Sequence, residues 1–116
     1  MDSTNSTSTI IFAVQINDIK KIGLHARPIA KIVGKISAYK ETTVEVVKLD
    51  EKTDITKKIV LTGNETKANA KSVLSFIGLQ VNNLTKIAFI INGEQAQNAK
   101  DVIKAVLVEE KLITQC

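Results

Sequence analysis

The chain has one cysteine, one histidine, one proline and one arginine among 116 residues, and no tryptophan at all. Each scarcity closes off a class of function. A lone thiol, Cys116, forms no disulfide within the chain, and with His25 as the sole imidazole there is neither a His/Cys zinc set nor a papain-like Cys/His pair. Aromatic side chains make up only 3% of the residues, too few for the stacking platforms of single-strand nucleic-acid binders. Lysines run along the whole length instead of gathering in one patch, so nucleic acid is not the expected partner. The net charge of +4 favours acidic partners by long-range attraction without naming them. No apolar run approaches the ~20 residues of a membrane span, so no membrane insertion is expected. The opening Met1-Asp2-Ser3-Thr4-Asn5 carries neither a basic n-region nor an apolar h-region of a secretory signal, and the expected location is the cytoplasm.

What is present reads as one domain. Residues 1–9 are a Ser/Thr/Asn tail with nothing to bury and are expected to be disordered, leaving 10–116 as the folded unit. Ile10, Phe12, Val14 and Ile16 alternate as a first strand. Ile29, Ile32, Val33 and Ile36 fall on one face of a helix expected to reach Tyr39, although Gly34 weakens it. Thr42 to Leu49 is a β-branched strand whose phase slips at Val46-Val47, as a bulge would cause. After the polar turn Asp50 to Asp54, strand character resumes from Ile55 to Thr62, and Gly63-Asn64 turns the chain. Ser72 opens a short helix carrying Val73, Phe76 and Ile77. Ile87, Phe89 and Ile91 alternate as a strand that ends at Asn92-Gly93, and Ala99, Val102, Ile103 and Val106 mark a closing helix to about Glu110. The order strand, helix, strand, strand, helix, strand, helix, joined by turns too short for repeated parallel crossovers, implies an α+β fold with an antiparallel sheet and helices on one face.

The only His, Arg and Pro stand together in His25-Ala26-Arg27-Pro28. The other cations are all Lys, so bulk positive charge does not require guanidinium, whereas a planar fork for an oxyanion does. With His25 as N-cap, Ala26, Arg27 and Pro28 fill the first helical turn, where Pro loses nothing and the other amides have no intrahelical acceptor. Such a terminus attracts anions and favours a neutral, nucleophilic imidazole. A phosphoryl group added to His25 would be met by those amides and by Arg27.

Gly23-Leu24-His25-Ala26-Arg27-Pro28 resembles the active-site signature of HPr, the histidine-containing phosphocarrier family of the sugar phosphotransferase system. Ala68-Asn69-Ala70-Lys71-Ser72-Val73-Leu74 is similar to the segment that opens that family's second helix with a regulatory serine, and the match extends from about Ile10 to Ile113. The resemblance implies an open-faced β-sandwich: a four-stranded antiparallel sheet with three helices on one face. It further implies a carrier, not an enzyme, whose His25 takes a phosphoryl group on Nδ1 from phosphorylated enzyme I and passes it to an enzyme IIA, with Arg27 as phosphate partner. No metal or other cofactor is required. By the same resemblance Ser72 matches the position an HPr serine kinase modifies, and Leu24, Ala26, Leu74 and Ile77 match a partner-docking patch. Ser72 also reads as a plain helix N-cap and Ile77 as plain core.

Three departures stand out. Ile22 replaces a small polar residue, Ser75 replaces a common glycine, and the stretch before Ser72 is longer than the family pattern by on the order of fifteen residues. Lys48 to Lys58 is expected to form an extended hairpin insertion projecting from the sheet. The competing reading is a regulatory binding module in which Ser72 phosphorylation is the signal and His25 is idle.

Overall fold

Alternating apolar residues build the sheet. In the computed structural model, which describes residues 8–113, four strands form: β1 (Ser8–Gln15), β2 (Thr43–Lys48), β3 (Lys67–Asn69) and β4 (Lys86–Gly93). They interleave with α1 (Ala26–Ile36), α2 (Val73–Gly78) and α3 (Ala96–Glu109) in the expected succession of strands and helices, except that the third strand is Lys67–Asn69 and not the expected Ile55 to Thr62. The sheet is antiparallel with spatial order β1-β4-β2-β3, so β4, with its run Ile87 to Ile91, is central and paired on both edges. Val14, Val44, Val46, Ile87, Phe89 and Ile91 point to one face, where they pack with Ile29, Ile32 and Ile36 of α1, Phe76 of α2, and Ile103 and Leu107 of α3. Burial of each such side chain contributes roughly 1.5–3 kcal/mol. This is the open-faced arrangement of four strands and three helices that the sequence implies.

Several boundaries and one insertion differ from expectation. The strand β1 begins at Ser8, opposite Gly93, so Ser8 and Thr9 belong to the sheet; ladder hydrogen bonds on the long β4 extend β1 past its apolar residues. Residues 1–7 of the expected tail, and Cys116, lie outside the described residues. Helix α1 stops at Ile36 instead of Tyr39, because Ala38 and Tyr39 donate to Lys35 and Ile36 and tighten the chain into i→i+3 turns.

The expected bulge in β2 is absent. Thr43 to Lys48 pair with Asn92 to Ile87 in unbroken register. Val46 faces the helices and Val47 the opposite side of the sheet, yet both are buried. Val47 lies beside Ala88, which is also buried and also outside the helical core.

Residues 49–66 form no strand and no projecting hairpin. They fold back along the sheet in short turns held by Asp50, whose Oδ1 accepts from Lys52 N–H at 2.8 Å, Asp54, which accepts from Thr56 N–H at 2.9 Å, and Glu65, which accepts from Thr62 and Gly63. Leu49 N–H bonds to the Lys86 carbonyl at 2.9 Å, and Lys86 Nζ donates to the carbonyls of Glu51 and Thr53 at 2.7 and 2.6 Å. Ile55 reaches the β1 edge, where it lines a cavity of about 320 Å³ with Ala13 and Gln15. At the two ends of the Ile55 to Thr62 stretch, turn bonds take the amides of Thr56 and Lys57 to Asp54 and that of Thr62 to Glu65, so the β-branched run is entered and left through turns and does not pair as a strand.

Candidate functional site

The approach to α1 is built around one carboxylate. Ile16 N–H bonds to the Thr85 carbonyl as β1 ends, and the chain then loops through Asp18 to Leu24. Asp18 is only 6% exposed. Its Oδ1 accepts from Lys20 N–H at 3.0 Å, its Oδ2 from Ile22 and Gly23 N–H at 3.1 Å each, and its own N–H donates to Asn83 Oδ1 at 2.7 Å. The Lys20 amide foremost, and then those of Gly23 and Ile22, hold the Asp18 carboxyl below its ordinary range against the opposing effect of burial. Gly23 follows at φ +94°, with the backbone of Val81 to Asn83 only 2.7 Å from where a Cβ would stand, so only glycine passes there. Leu24 N–H then docks on the Val81 carbonyl at 2.9 Å.

This loop delivers His25 to the N-cap of α1. The side chain is exposed and makes no capping bond; its Nδ1 lies 3.1 Å from the Gly23 carbonyl oxygen. A carbonyl can only accept, so Nδ1 carries the proton in this pose. The first helical bond runs from Ile29 N–H to the His25 carbonyl, and Pro28 has no N–H, so the amides of Ala26 and Arg27 open outward from an uncapped terminus.

Arg27 is exposed, and its Nε lies 3.9 Å from Glu110 Oε1. Glu110 is mostly buried and bonded at 2.8 Å by Lys31 Nζ, which also reaches Glu109 at 3.0 Å. The Lys31 hydrogen bond, aided by the charges of Lys31, Arg27 and His25, holds the Glu110 carboxyl below its usual range, and the two glutamates raise Lys31 in return. His25, Arg27, Asp18, Ile22 and Glu110 line one cleft of about 360 Å³. Such a cleft offers a nucleophilic ring, two free amides and a guanidinium to a tetrahedral oxyanion. Among the described residues no group of His, Cys, Asp and Glu is arranged to hold a metal ion, and no helix is long and apolar enough to cross a membrane.

The other expected residues divide. Ala26, Leu74 and Ile77 are exposed, Leu74 to 83% and Ile77 to 40%, so Ile77 is not plain core. Leu24 is the exception: at 5% exposure it belongs to the core, because its amide is tied to Val81 and its side chain is drawn under the helices. The apolar side chain presented beside His25 is instead Ile22, 57% exposed. Ser72 caps α2, its Oγ accepting from Ser75 N–H at 3.2 Å. Neither Ser72, Leu74 nor Ile77 lines the His25 cleft. Asp18, Lys31 and Glu110 were not foreseeable from local periodicity. An Asp five residues before a Gly that must turn ahead of a helix is the one sequence signal that points to Asp18.

Comparison with known proteins gives the family and the fold. Residues 13–109 match the family described as the PTS HPr component phosphorylation site. The multiphosphoryl transfer protein of Haemophilus influenzae is 35% identical over 85 residues, covering 73% of this chain, which spans only 14% of that relative's length. The phosphocarrier protein HPr of Mycoplasma capricolum is 28% identical over 102 residues, covering 88% of this chain and 94% of the relative. Among solved structures, a mycoplasma histidine-containing phosphocarrier protein superposes with a TM-score of 0.72 at 24% identity, over 91% of this chain and all of that one, a likeness of fold.

Proposed function

This chain belongs to the HPr family of phosphocarriers of the phosphotransferase system, and on that premise we propose that His25 accepts a phosphoryl group from phosphorylated enzyme I and donates it to enzyme IIA proteins of sugar transport in the cytoplasm. The observation that carries the reading is the placement of His25 at an uncapped helix start, in one cleft with Arg27. Before reaction the ring leaves the Gly23 carbonyl, Nδ1 gives up its proton and Nε2 carries one. The Nδ1 lone pair then attacks phosphorus; the N–P bond forms as the bond from phosphorus to the donor breaks, and that electron pair returns to the donor. The amides of Ala26 and Arg27 and the Arg27 guanidinium receive the equatorial oxygens. Transfer to the next protein reverses these events. The chain supplies half a site and borrows the rest from each partner, so it carries the group without needing to be an enzyme.

Ala26, Leu74 and Ile77 supply the docking face, with Ile22 in the place assigned to Leu24. Phosphorylation of Ser72 by an HPr kinase would add nearly two negative charges beside that face and hinder an acidic partner. The test is incubation with enzyme I and phosphoenolpyruvate. The expected result is one acid-labile phosphoryl group on wild type and none on His25→Ala, whereas an unlabelled wild type ends the proposal.

A further inference from the structure

We propose that Asp18 is a positioning residue that, by fixing the backbone that enters Gly23 and so orienting the Gly23 carbonyl, holds unphosphorylated His25 in its Nδ1–H form and thereby drives the site toward giving its phosphoryl group away. The links are on one short path. The Asp18 carboxylate accepts the Gly23 N–H at 3.1 Å, and the Gly23 carbonyl in turn faces His25 Nδ1 at 3.1 Å. Asp18 is itself fixed, with its N–H on Asn83 and two further amides on its carboxylate. Nothing else in the loop from Asn17 to Leu24 offers a side-chain acceptor to the Ile22 or Gly23 amide.

The consequence follows from exclusion. Nδ1 cannot bear a phosphoryl group and donate a hydrogen bond to Gly23 at the same time. The contact therefore exists only in the unphosphorylated state, and any interaction present in one state alone shifts the equilibrium toward it. A net hydrogen bond of ordinary strength displaces such an equilibrium by roughly threefold to tenfold. Free imidazole prefers its proton on Nε2, so the Nδ1–H form is itself the mark of the relay.

This consequence rests on His25 being the phosphoryl acceptor, but the relay is read without any phosphoryl donor. Nitrogen-15 spectra of wild type above the imidazole titration are expected to show the Nδ1–H tautomer; an Nε2–H ring overturns the proposal. In Asp18→Asn the amide group presents donors toward the loop amides, and the ring is expected to shift toward Nε2–H while the dispersed spectrum of the sheet is kept. An unchanged ring in that folded variant also overturns it. If Asp18→Asn does not fold, Asp18→Ser, read above the imidazole titration, decides. Its single hydroxyl cannot accept from the Lys20, Ile22 and Gly23 amides together, so the ring is expected to shift toward Nε2–H, and an unchanged Nδ1–H ring in that folded variant counts against the proposal.

With enzyme I and a fixed ratio of phosphoenolpyruvate to pyruvate, Asp18→Asn is expected to hold about threefold to tenfold more phosphohistidine relative to free histidine. An unchanged ratio refutes the thermodynamic role. Absence of label in wild type and variant alike would instead remove the acceptor assignment and leave the tautomer result standing.

Discussion

Two helices in this molecule begin in opposite ways. At α2 the Ser72 hydroxyl folds back onto the Ser75 amide, and the terminus is closed by its own cap. At α1 the N-cap is a histidine whose side chain turns away from the helix to the Gly23 carbonyl, and the terminus stays open. A cap of the Ser72 kind contributes about 1 kcal/mol, so leaving α1 uncapped gives up stability at the place where an incoming oxyanion would supply the missing acceptors. Stability is made good behind the ring, where Asp18 collects three amides. The loop is tied down so that the helix start can remain open.

The largest test of this contrast is Arg27→Ala. It should lower phosphoryl uptake by on the order of 100-fold, measured as the initial rate of label from enzyme I, because in the proposed mechanism the guanidinium meets charge that develops only during transfer. Arg27→Lys should recover only part of the loss, since an ammonium lacks the planar fork. Equal rates for wild type and Arg27→Ala would show that the open amides suffice and that Arg27 serves only its contact with Glu110. The complementary change, Ser72→Ala, should leave His25 labelling unaltered and lower the free energy of urea unfolding by about 1 kcal/mol.

Much of this contrast was visible in the sequence, because it rests on local residues. His25, Pro28 and Ser72 announce helix starts by their own chemistry, and the alternation of Ile87 to Ile91 announces the central strand. What stayed hidden depends on contacts far along the chain. Val46-Val47 looks like a slip of phase, yet both valines are buried, on opposite faces of a strand in unbroken register. Leu24 sits inside the signature yet is drawn inward by a bond to Val81, and Ile22 takes the exposed place. Glu110 acquires its Lys31 partner from α1 and Asp18 its Asn83 partner from a loop 65 residues away, links that no local pattern gives.

Acid separates the two helix starts more gently. The Asp18 carboxyl is held below its ordinary value of 3.8, so its contribution is fully present above that pH and is lost as the pH falls through the depressed folded value. The Ser72 hydroxyl does not titrate. Hydrogen-exchange protection at the Ile22 and Gly23 amides should therefore decline below about pH 4, while the Ser75 amide keeps its protection until global unfolding. Parallel loss at all three amides would mean that the loop before α1 has no local stability of its own.

The smallest effects concern the helix bodies. Gly34 lies in the interior of α1, and nothing stands within 4 Å of where a Cβ would be placed. Gly34→Ala should therefore stabilise by up to about 1 kcal/mol, because alanine loses less backbone freedom on forming the helix. Gly78 is equally unobstructed but is the last residue of α2, where fewer helical bonds depend on it, so Gly78→Ala should yield only about a few tenths of a kcal/mol. Neither change touches a helix N-terminus, and both should leave His25 labelling at the wild-type rate. If Gly34→Ala slowed labelling, the reactivity of α1 would depend on a pliable helix body. An unchanged rate in a more stable protein would locate it in the open first turn, where Ala26 and Arg27 present their amides.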